Sequence, residues 1–299
     1  SRLREAGAVM LGKLQMTEGA FAIHHPNITA PNNPWHPGHW TGASSSGCGV
    51  ATAAGLCYAS IGSDSGGSIR FPCAANGLTG LKPTWGRVSR HGAFELAASL
   101  DHVGPITRSA RDALFLLSTI AGHDLLDPTS QPSVCLEVPG IDDSFRGLRV
   151  GIDESWLSDG VDPVIQQALQ QIMAMIHAGG GKLLSIRMPD TRAVSQNWEA
   201  HCGVQTAVAH ADTYPLHASQ YGPALRRLID GGRELSGMDY QRILLEAQRF
   251  TGQVEMLLYE LDLLLAPVQP YAAPTHEQLS SLALDPEANR RLIQFTAPF

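Results

Sequence analysis

Two short segments of serine, glycine and alanine constrain this chain more than any other feature. The first is Gly-Ala-Ser-Ser-Ser-Gly at residues 42–47, and the second is Gly-Ser-Asp-Ser-Gly-Gly-Ser-Ile-Arg at residues 62–70. The tract continues straight into alanine-rich and apolar sequence, which favours buried backbone over a flexible linker. Because such small side chains let main-chain segments approach closely, the tract predicts a tightly packed centre.

The second segment has three possible interpretations. A phosphate-binding loop is disfavoured, because the chain has no G-x-x-x-x-G-K-[ST] and no G-x-G-x-x-G that opens a helix. Glycine that serves close packing alone stays open. The functional alternative is a serine nucleophile at Ser68, since the amide N–H groups of the preceding glycine turn can point at one oxygen.

A serine hydroxyl needs an adjacent base to act as a nucleophile at neutral pH. The nearby histidines are His91 and His102, but neither accompanies a G-x-S-x-G sequence, so no Ser-His-Asp triad is predicted. The residues alone therefore indicate a buried, glycine-flanked serine beside an anion-binding turn and leave its base open.

Local patterns predict an alternation of strands and helices. In the first part of the chain they indicate a buried strand at Ala8–Leu11, an irregular loop over 26–42, a helix at Gly49–Leu56, a strand at Tyr58–Gly62, and a helix that begins near Thr107–Ser109, with Ser109 as N-cap, and ends at Ala121. Residues 123–146 are the best linker candidate. The second part predicts a strand–helix–strand unit at Leu148–Ile152, Asp162–Ala178 and Lys182–Met188, a loop over Ser195–Tyr221, a long helix at Met238–Leu261 and a strand at Leu263–Val268. This alternation is typical of an α/β fold with a parallel or mixed sheet.

Charge and hydropathy exclude several classes of protein. With 28 acidic and 21 basic residues the net charge is −7, so the chain has no general electrostatic attraction to nucleic acid or anionic lipid. No apolar run reaches the roughly 18–20 residues that span a bilayer, and the first residues do not resemble a signal peptide. We therefore expect neither a membrane nor a nucleic acid as a direct partner.

Cysteine and histidine usage points to a cytoplasmic protein without a metal. The five cysteines are odd in number and include no CxxC pair, so we expect reduced, mostly buried thiols; they are Cys48, Cys57, Cys73, Cys135 and Cys202. The twelve histidines show no HExxH or equivalent spacing. They are expected to be ordinary surface or core residues.

The central part of the sequence resembles the amidase signature family, serine hydrolases of C–N bonds. The match is dense from Gly42 to Asp112 and includes Asp-Ser-Gly-Gly-Ser-Ile-Arg (64–70), Gly-Leu-Lys-Pro-Thr-Trp-Gly-Arg-Val-Ser (80–89) and Ala-Ser-Leu-Asp (98–101). The resemblance implies an α/β/α sandwich with a mixed central sheet. It also implies a single domain over 1–299 with its signature core at 42–112.

Site residues follow from the resemblance position by position. The family uses a Lys–cis-Ser–Ser triad, in which Ser68 matches the acylated nucleophile and Ser44, preceded by a cis peptide bond, matches the proton-relaying serine. The oxyanion hole corresponds to the backbone amides of Ser65, Gly66, Gly67 and Ser68. Supporting roles fall to Ser45, Asp64 and Arg70.

The lysine of the triad is not among these residues. The chain has three lysines, Lys13, Lys82 and Lys182, and none matches the catalytic one, which in the family lies upstream of Leu3. Lys82 falls in the Leu-Lys-Pro segment, which is structural in the family. We therefore expect the sequence to be the central portion of a longer amidase, truncated at both ends.

The resemblance implies hydrolysis of a small amide or carbamate through an acyl-enzyme, with no cofactor. Two alternatives stay open: the glutaminase (A-type) subunit of a tRNA-dependent amidotransferase, and a non-catalytic protein of the amidase fold that lacks the lysine. A homodimer is one possible oligomeric state. Residues 191–285 carry little family signal and are expected to shape the substrate pocket, with Trp198, His201 and Tyr221 as lining candidates beside His210 and Tyr214.

Overall fold

The architecture is that of a computed structural model, which describes residues 2–132, 144–272, 274–282 and 285–299. Its helices are α1 (Arg2–Glu5), α2 (Ser46–Ala53), α3 (Arg70–Asn76), α4 (Ala110–Ile120), α5 (Glu154–Ser158), α6 (Pro163–Ala178), α7 (Arg192–Ala209), α8 (Tyr214–His217), α9 (Pro223–Glu234), α10 (Gly237–Leu258), α11 (His276–Leu282) and α12 (Pro286–Ile293). Its strands are β1 (Ser60–Asp64), β2 (Thr79–Gly80), β3 (His102–Thr107), β4 (Arg149–Ile152), β5 (Lys182–Ser185) and β6 (Leu263–Leu264). Helices together with antiparallel and parallel sheets confirm the predicted α/β class.

Two compact units make up the chain. The first combines Glu199–Leu235 with the described part of Ser1–Pro139, and the second combines Ser236–Phe299 with the described part of Gly140–Trp198. Both Ser/Gly segments belong to the first unit.

An antiparallel sheet in the order β1-β3-β2 organises the first unit. Its register pairs Gly62 with Gly104 and Asp64 with His102. Ile69 and Ile106 are fully buried and pack with Cys48 and Cys73 in one cluster. The second Ser/Gly segment thus begins within β1, and Ile69 near its end packs in this buried apolar cluster.

Helix α4 follows the sequence prediction closely. Its N-cap is Ser109, whose hydroxyl oxygen accepts the backbone N–H of Asp112 at 3.1 Å. The apolar face contributes Leu117 and Ile120 to a cluster with Val88. Local capping chemistry was sufficient to locate this helix.

The strand–helix–strand unit of the second half is confirmed as β4, α6 and β5. Strand β4 lies between β5 and β6, and both pairs are parallel. The buried face of α6 packs on β4 in a cluster formed by Val150, Ile152, Leu157, Leu169 and Ile176. Helix α10 also lies close to its predicted bounds, whereas the strand predicted at Leu263–Val268 shortens to β6.

Two sequence predictions are wrong. Ala8–Leu11 forms no strand, and Val9 and Leu11 are 84% and 74% exposed; a four-residue apolar run predicts a buried strand only where another segment covers it. Much of the predicted loop over Ser195–Tyr221 is helix α7. Its buried stripe includes Cys202 and Thr206, one helical turn apart, and such small and polar side chains give a weak hydrophobic period.

The expected thiols and linker are described in part. Cys48, Cys57, Cys73 and Cys202 are free, and all but Cys57 are buried. Cys135 lies outside the described residues, as do residues 133–143 of the predicted linker.

Candidate active site

The first Ser/Gly segment enters α2 through an uncommon backbone. The Ala43–Ser44 peptide bond is cis, in agreement with the expectation from the resemblance. Gly42 before it has a φ of 79°, and a Cβ there would lie 2.3 Å from the Cα of Pro72. Only glycine allows this close approach.

Ser44 is held in the interior by its main chain. The residue is 1% exposed, and its carbonyl oxygen accepts the N–H of Thr17 at 3.1 Å. Its hydroxyl is buried and has no hydrogen-bond partner within the described residues. Because buried polar groups in native proteins nearly always have a partner, this hydroxyl is available to a further polar group.

Ser45 joins the two Ser/Gly segments. Its backbone N–H donates to the carbonyl oxygen of Ser68 at 3.3 Å. Its hydroxyl donates to the Ser63 carbonyl oxygen and accepts the Ser63 N–H, both at 3.2 Å. Residues distant in sequence are thereby connected through one side chain and one peptide group.

Ser68 lies on the turn between β1 and α3. It is half-buried, and within the described residues its hydroxyl makes no hydrogen bond. Gly67 beside it has a φ of 139°, and a Cβ there would lie 2.3 Å from Cε2 of Phe71. The turn therefore depends on glycine, and it leaves the serine hydroxyl accessible.

The carboxylate of Asp64 holds this turn through hydrogen bonds to its backbone. It accepts the N–H of Gly67 at 2.7 Å and of Ile69 at 3.1 Å, and it forms a two-pronged ion pair with Arg70 at 3.0 and 2.8 Å. Asp64 is fully buried. Burial opposes its ionisation, but the charge of Arg70 and the hydrogen bonds outweigh it and hold the pKa of Asp64 below its ordinary value.

One of the four amides expected to form the oxyanion hole already has an acceptor in the structure. The Gly67 N–H is taken by Asp64, so the prediction for this amide is corrected: it supports the turn instead of facing a substrate. The N–H groups of Gly66 and Ser68 have no acceptor within the described part of the chain. The amides of Gly66 and Ser68 can therefore receive an anionic oxygen. The place of the Ser65 amide in the oxyanion hole stays a prediction.

Asp101 is a site residue that the sequence analysis did not single out. Its carboxylate accepts the hydroxyl of Ser65, in a short hydrogen bond, and the N–H groups of Leu96 and Ala97. Burial raises the pKa of Asp101. The only sequence signal was its place in Ala-Ser-Leu-Asp (98–101), a match that carried no indication of its partner.

The sequence also did not predict a contact between His24 and the first residue of α2. Its Nε2 lies 3.0 Å from the hydroxyl of Ser46, the buried residue that begins α2. Burial lowers the pKa of His24. No periodic or motif signal in the irregular sequence around His24 pointed to this contact.

The histidines considered as bases for Ser68 have other surroundings. His91 is exposed. His102 directs its Nδ1 at the carbonyl oxygens of Leu100 and Asp64, at 2.6 and 3.1 Å. The contacts given for His102 involve carbonyl oxygens and Lys82, and none involves Ser68.

Comparison with known proteins identifies the family of this chain. All of residues 1–299 match the Amidase family. The chain belongs to the amidase family. The amidase-family protein AmiD of Mycobacterium tuberculosis is 47% identical to it over the whole chain.

Two further proteins are similar to this chain, one in sequence and one in structure. The A-type component of the glutamyl-tRNA(Gln) amidotransferase of Chromohalobacter salexigens is 35% identical, over 91% of this chain and 62% of its own length. The crystal structure of an amidase superposes with a TM-score of 0.81 at 30% identity and covers the whole chain and 66% of the other. The chain spans 63% of AmiD, so it matches slightly less than two thirds of these curated relatives.

Within this amidase-family chain, the predicted pocket residues have polar partners of their own. His201 is buried, with Nε2 3.3 Å from the hydroxyl of Ser99. The Tyr221 hydroxyl lies 3.0 Å from Nδ1 of His210 and 2.7 Å from the hydroxyl of Thr213. Trp198 belongs to the second unit. None of these contacts tests the pocket assignment, which stays a prediction.

The described residues give no sign of a metal site or a membrane span. Among the described residues no group of three or more His, Cys, Asp or Glu side chains is arranged to hold a metal ion. The same residues include no helix both long and apolar enough to cross a bilayer. The cytoplasmic location and the homodimer stay predictions.

Proposed function

We propose that the natural protein hydrolyses a C–N bond of a small amide or carbamate through an acyl-enzyme on Ser68. The observation that carries the proposal is the presence of two serine hydroxyls without a partner among the described residues, on two segments joined by a backbone hydrogen bond. Ser68 has a half-buried hydroxyl on a glycine turn, and Ser44 has a buried hydroxyl without a partner within the described residues. The Ser45–Ser68 hydrogen bond connects the backbones that carry them.

In the proposed first step Ser44 takes the proton of Ser68, while a lysine outside these 299 residues takes the proton of Ser44. The Ser68 oxygen bonds to the substrate carbonyl carbon, and the N–H groups of Gly66 and Ser68 stabilise the negative oxygen. The C–N bond then breaks, and the nitrogen leaves with a proton returned through Ser44. Water attacks the ester, releases the acid and restores the Ser68 hydroxyl.

Asp64, Arg70 and Asp101 support this chemistry without touching the substrate. Asp64 holds the amides of Gly67 and Ile69, which flank the nucleophile on both sides. Asp101 holds Ser65 at the start of the same turn. A turn restrained at these points keeps the two oxyanion amides in place before substrate arrives, which removes the cost of reorganising them.

Substrate selection is assigned to residues 191–285. His201 and Tyr221 lie in the same unit as Ser68, so the proposal rests on these two. A panel of aliphatic amides, aryl amides and carbamates, assayed with His201→Ala and Tyr221→Phe variants, tests the assignment. A changed order of preference is expected, and an unchanged order with both variants would remove these residues from the pocket.

The experiment for the main proposal uses the full natural protein and three serine-to-alanine variants. Ser68→Ala and Ser44→Ala should each lower kcat/KM on amides by about 10³-fold or more. The matched control is Ser118→Ala, a half-buried residue of α4 whose hydroxyl donates to the Phe115 carbonyl oxygen of its own helix. A serine-directed fluorophosphonate should label Ser68, as located by peptide mass spectrometry. Wild-type turnover by Ser68→Ala would overturn the proposal.

A second candidate is the glutaminase component of an amidotransferase, which the 35% identity to the A-type component of the Chromohalobacter salexigens enzyme favours. Glutamine hydrolysis that needs a co-purified partner protein would support it. Hydrolysis of simple amides by the isolated protein would support the first candidate. Absence of turnover in both assays would indicate a non-catalytic member of the family.

A further inference from the structure

Lys82 and His102 form a polar pair behind the nucleophile turn. Lys82 follows β2, and His102 is the first residue of β3, to which β2 is paired. The Lys82 Nζ lies 3.1 Å from Nε2 of His102 and 3.5 Å from the carbonyl oxygen of Pro83. The family resemblance gave Lys82 no catalytic position, and the serine chemistry above uses neither side chain.

The contacts determine which nitrogen of His102 carries the proton. Its Nδ1 faces two carbonyl oxygens, of Leu100 at 2.6 Å and Asp64 at 3.1 Å, and such oxygens only accept. Nδ1 must therefore be protonated and donating. Nε2 of the neutral ring is then an acceptor, and it accepts from the ammonium of Lys82. Burial first, and the charge of Lys82 second, lower the pKa of His102 to about 4, which keeps the ring neutral near pH 7.

Asp64 connects this pair to the nucleophile. Its carbonyl oxygen accepts from His102, and its carboxylate accepts the N–H groups of Gly67 and Ile69 on either side of Ser68. A displacement of the Asp64 peptide would therefore move the turn that carries Ser68 and the oxyanion amides. Errors of about 1 Å in such groups can cost about 100-fold in rate.

We propose that Lys82 and His102 are positioning residues for the Ser68 turn. His102 does so by donating from Nδ1 to the Asp64 carbonyl oxygen, and Lys82 does so by holding His102 in that tautomer and orientation. Neither residue touches the substrate. The inference rests on the proposed function, since its effect is measured on the reaction of Ser68.

Two substitutions at His102 separate this role from simple packing. The side-chain amide of Asn can place an N–H near the position of Nδ1, whereas the longer Gln side chain cannot reach it without moving. A donor role predicts that His102→Asn retains kcat within about threefold and that His102→Gln loses about 10- to 100-fold, with KM of both nearly unchanged. A packing role predicts the reverse order, because Gln is closer to His in size.

Lys82→Met tests the second half of the proposal. Alone it should lower kcat about tenfold with little change in KM. In the His102→Asn background it should have no further effect, because the acceptor at Nε2 is then absent. Additive losses in the double variant, or a His102→Gln that is more active than His102→Asn, would overturn the inference.

Controls keep the outcomes distinct. Thermal unfolding of every variant confirms that the chain is folded before the rates are compared. If Ser68→Ala is inactive while the His102 variants follow side-chain size, the inference fails and the proposed function stands. If Ser68→Ala retains turnover, the proposed function itself fails.

Discussion

The half-buried, neutral ring of His102 leads to a quantitative prediction about the pH dependence of stability. The pKa of its ring is lowered from 6.5 to about 4 in the folded protein, chiefly by burial. Between pH 6.5 and about 4, His102 is therefore mostly protonated in the unfolded chain and mostly neutral in the folded chain. The stability that His102 contributes is present above pH 6.5 and is lost as pH falls toward 4. Linkage of the two pKa values gives a loss of about 2 kcal/mol between pH 7 and pH 5.

The measurement is urea unfolding of wild type and His102→Asn at pH 7, 6 and 5, followed by tryptophan fluorescence. The variant should be less stable than wild type by about 1 kcal/mol at pH 7, since one acceptor is lost at Nε2. At pH 5 it should equal or exceed wild type, because asparagine does not titrate. Half-buried His24 and buried His201 and His210 also have lowered pKa values, but they remain in both proteins and cancel in the comparison.

A matched control is His177→Gln, at an exposed position on α6. Its stability should follow wild type in parallel across the three pH values. The reasoning is refuted if the His102→Asn and wild-type curves are also parallel. An NMR titration provides a direct check, since the His102 ring signals should shift only slightly between pH 7 and 5, whereas an ordinary histidine would complete most of its titration.

Three further predictions concern the site and its frame. Gly67→Ala places a Cβ 2.3 Å from the Phe71 ring at a φ of 139°, so unfolding free energy should fall by about 1–3 kcal/mol and fluorophosphonate labelling should disappear; normal labelling would show that the turn adapts. Asp64→Asn removes the charge facing Arg70 and should cost about 3–5 kcal/mol in urea unfolding at pH 7, and equal stability would contradict the buried ion pair. Ser109→Ala removes the α4 cap and should cost about 1 kcal/mol with kcat and KM retained, whereas a lowered kcat would indicate coupling between α4 and the site.

Local elements were predictable because their signals are local. Ser109 caps α4 through the N–H three residues onward, and α6 carries a regular apolar stripe between β4 and β5. Hydrophobic periodicity failed at α7, where Cys202 and Thr206 form part of the buried face, and at Ala8–Leu11, where apolar side chains are exposed. Periodicity reports burial, and it is informative only when the buried side chains are the apolar ones.

For the candidate site, the residue pattern alone predicts a glycine-flanked serine nucleophile at Ser68. The family resemblance adds Ser44, Asp64 and Arg70 to this prediction. The structure then divided the roles of neighbouring amides. Gly67 donates to Asp64, whereas the amides of Gly66 and Ser68 have no acceptor within the described residues. That distinction depends on the direction of each N–H, which the order of residues in the turn does not specify.

The amino-acid sequence alone provided the family resemblance, the α/β class and the candidate serines Ser44 and Ser68, because these depend on motifs and periods within short stretches of chain. Tertiary structure decided which distant polar groups meet: Asp101 with Ser65, and Lys82 with His102 and through it Asp64. Each of these pairs is separated by twenty or more residues. In a buried site a polar group must find its partner wherever the packed chain places one, so the partner is a property of the fold.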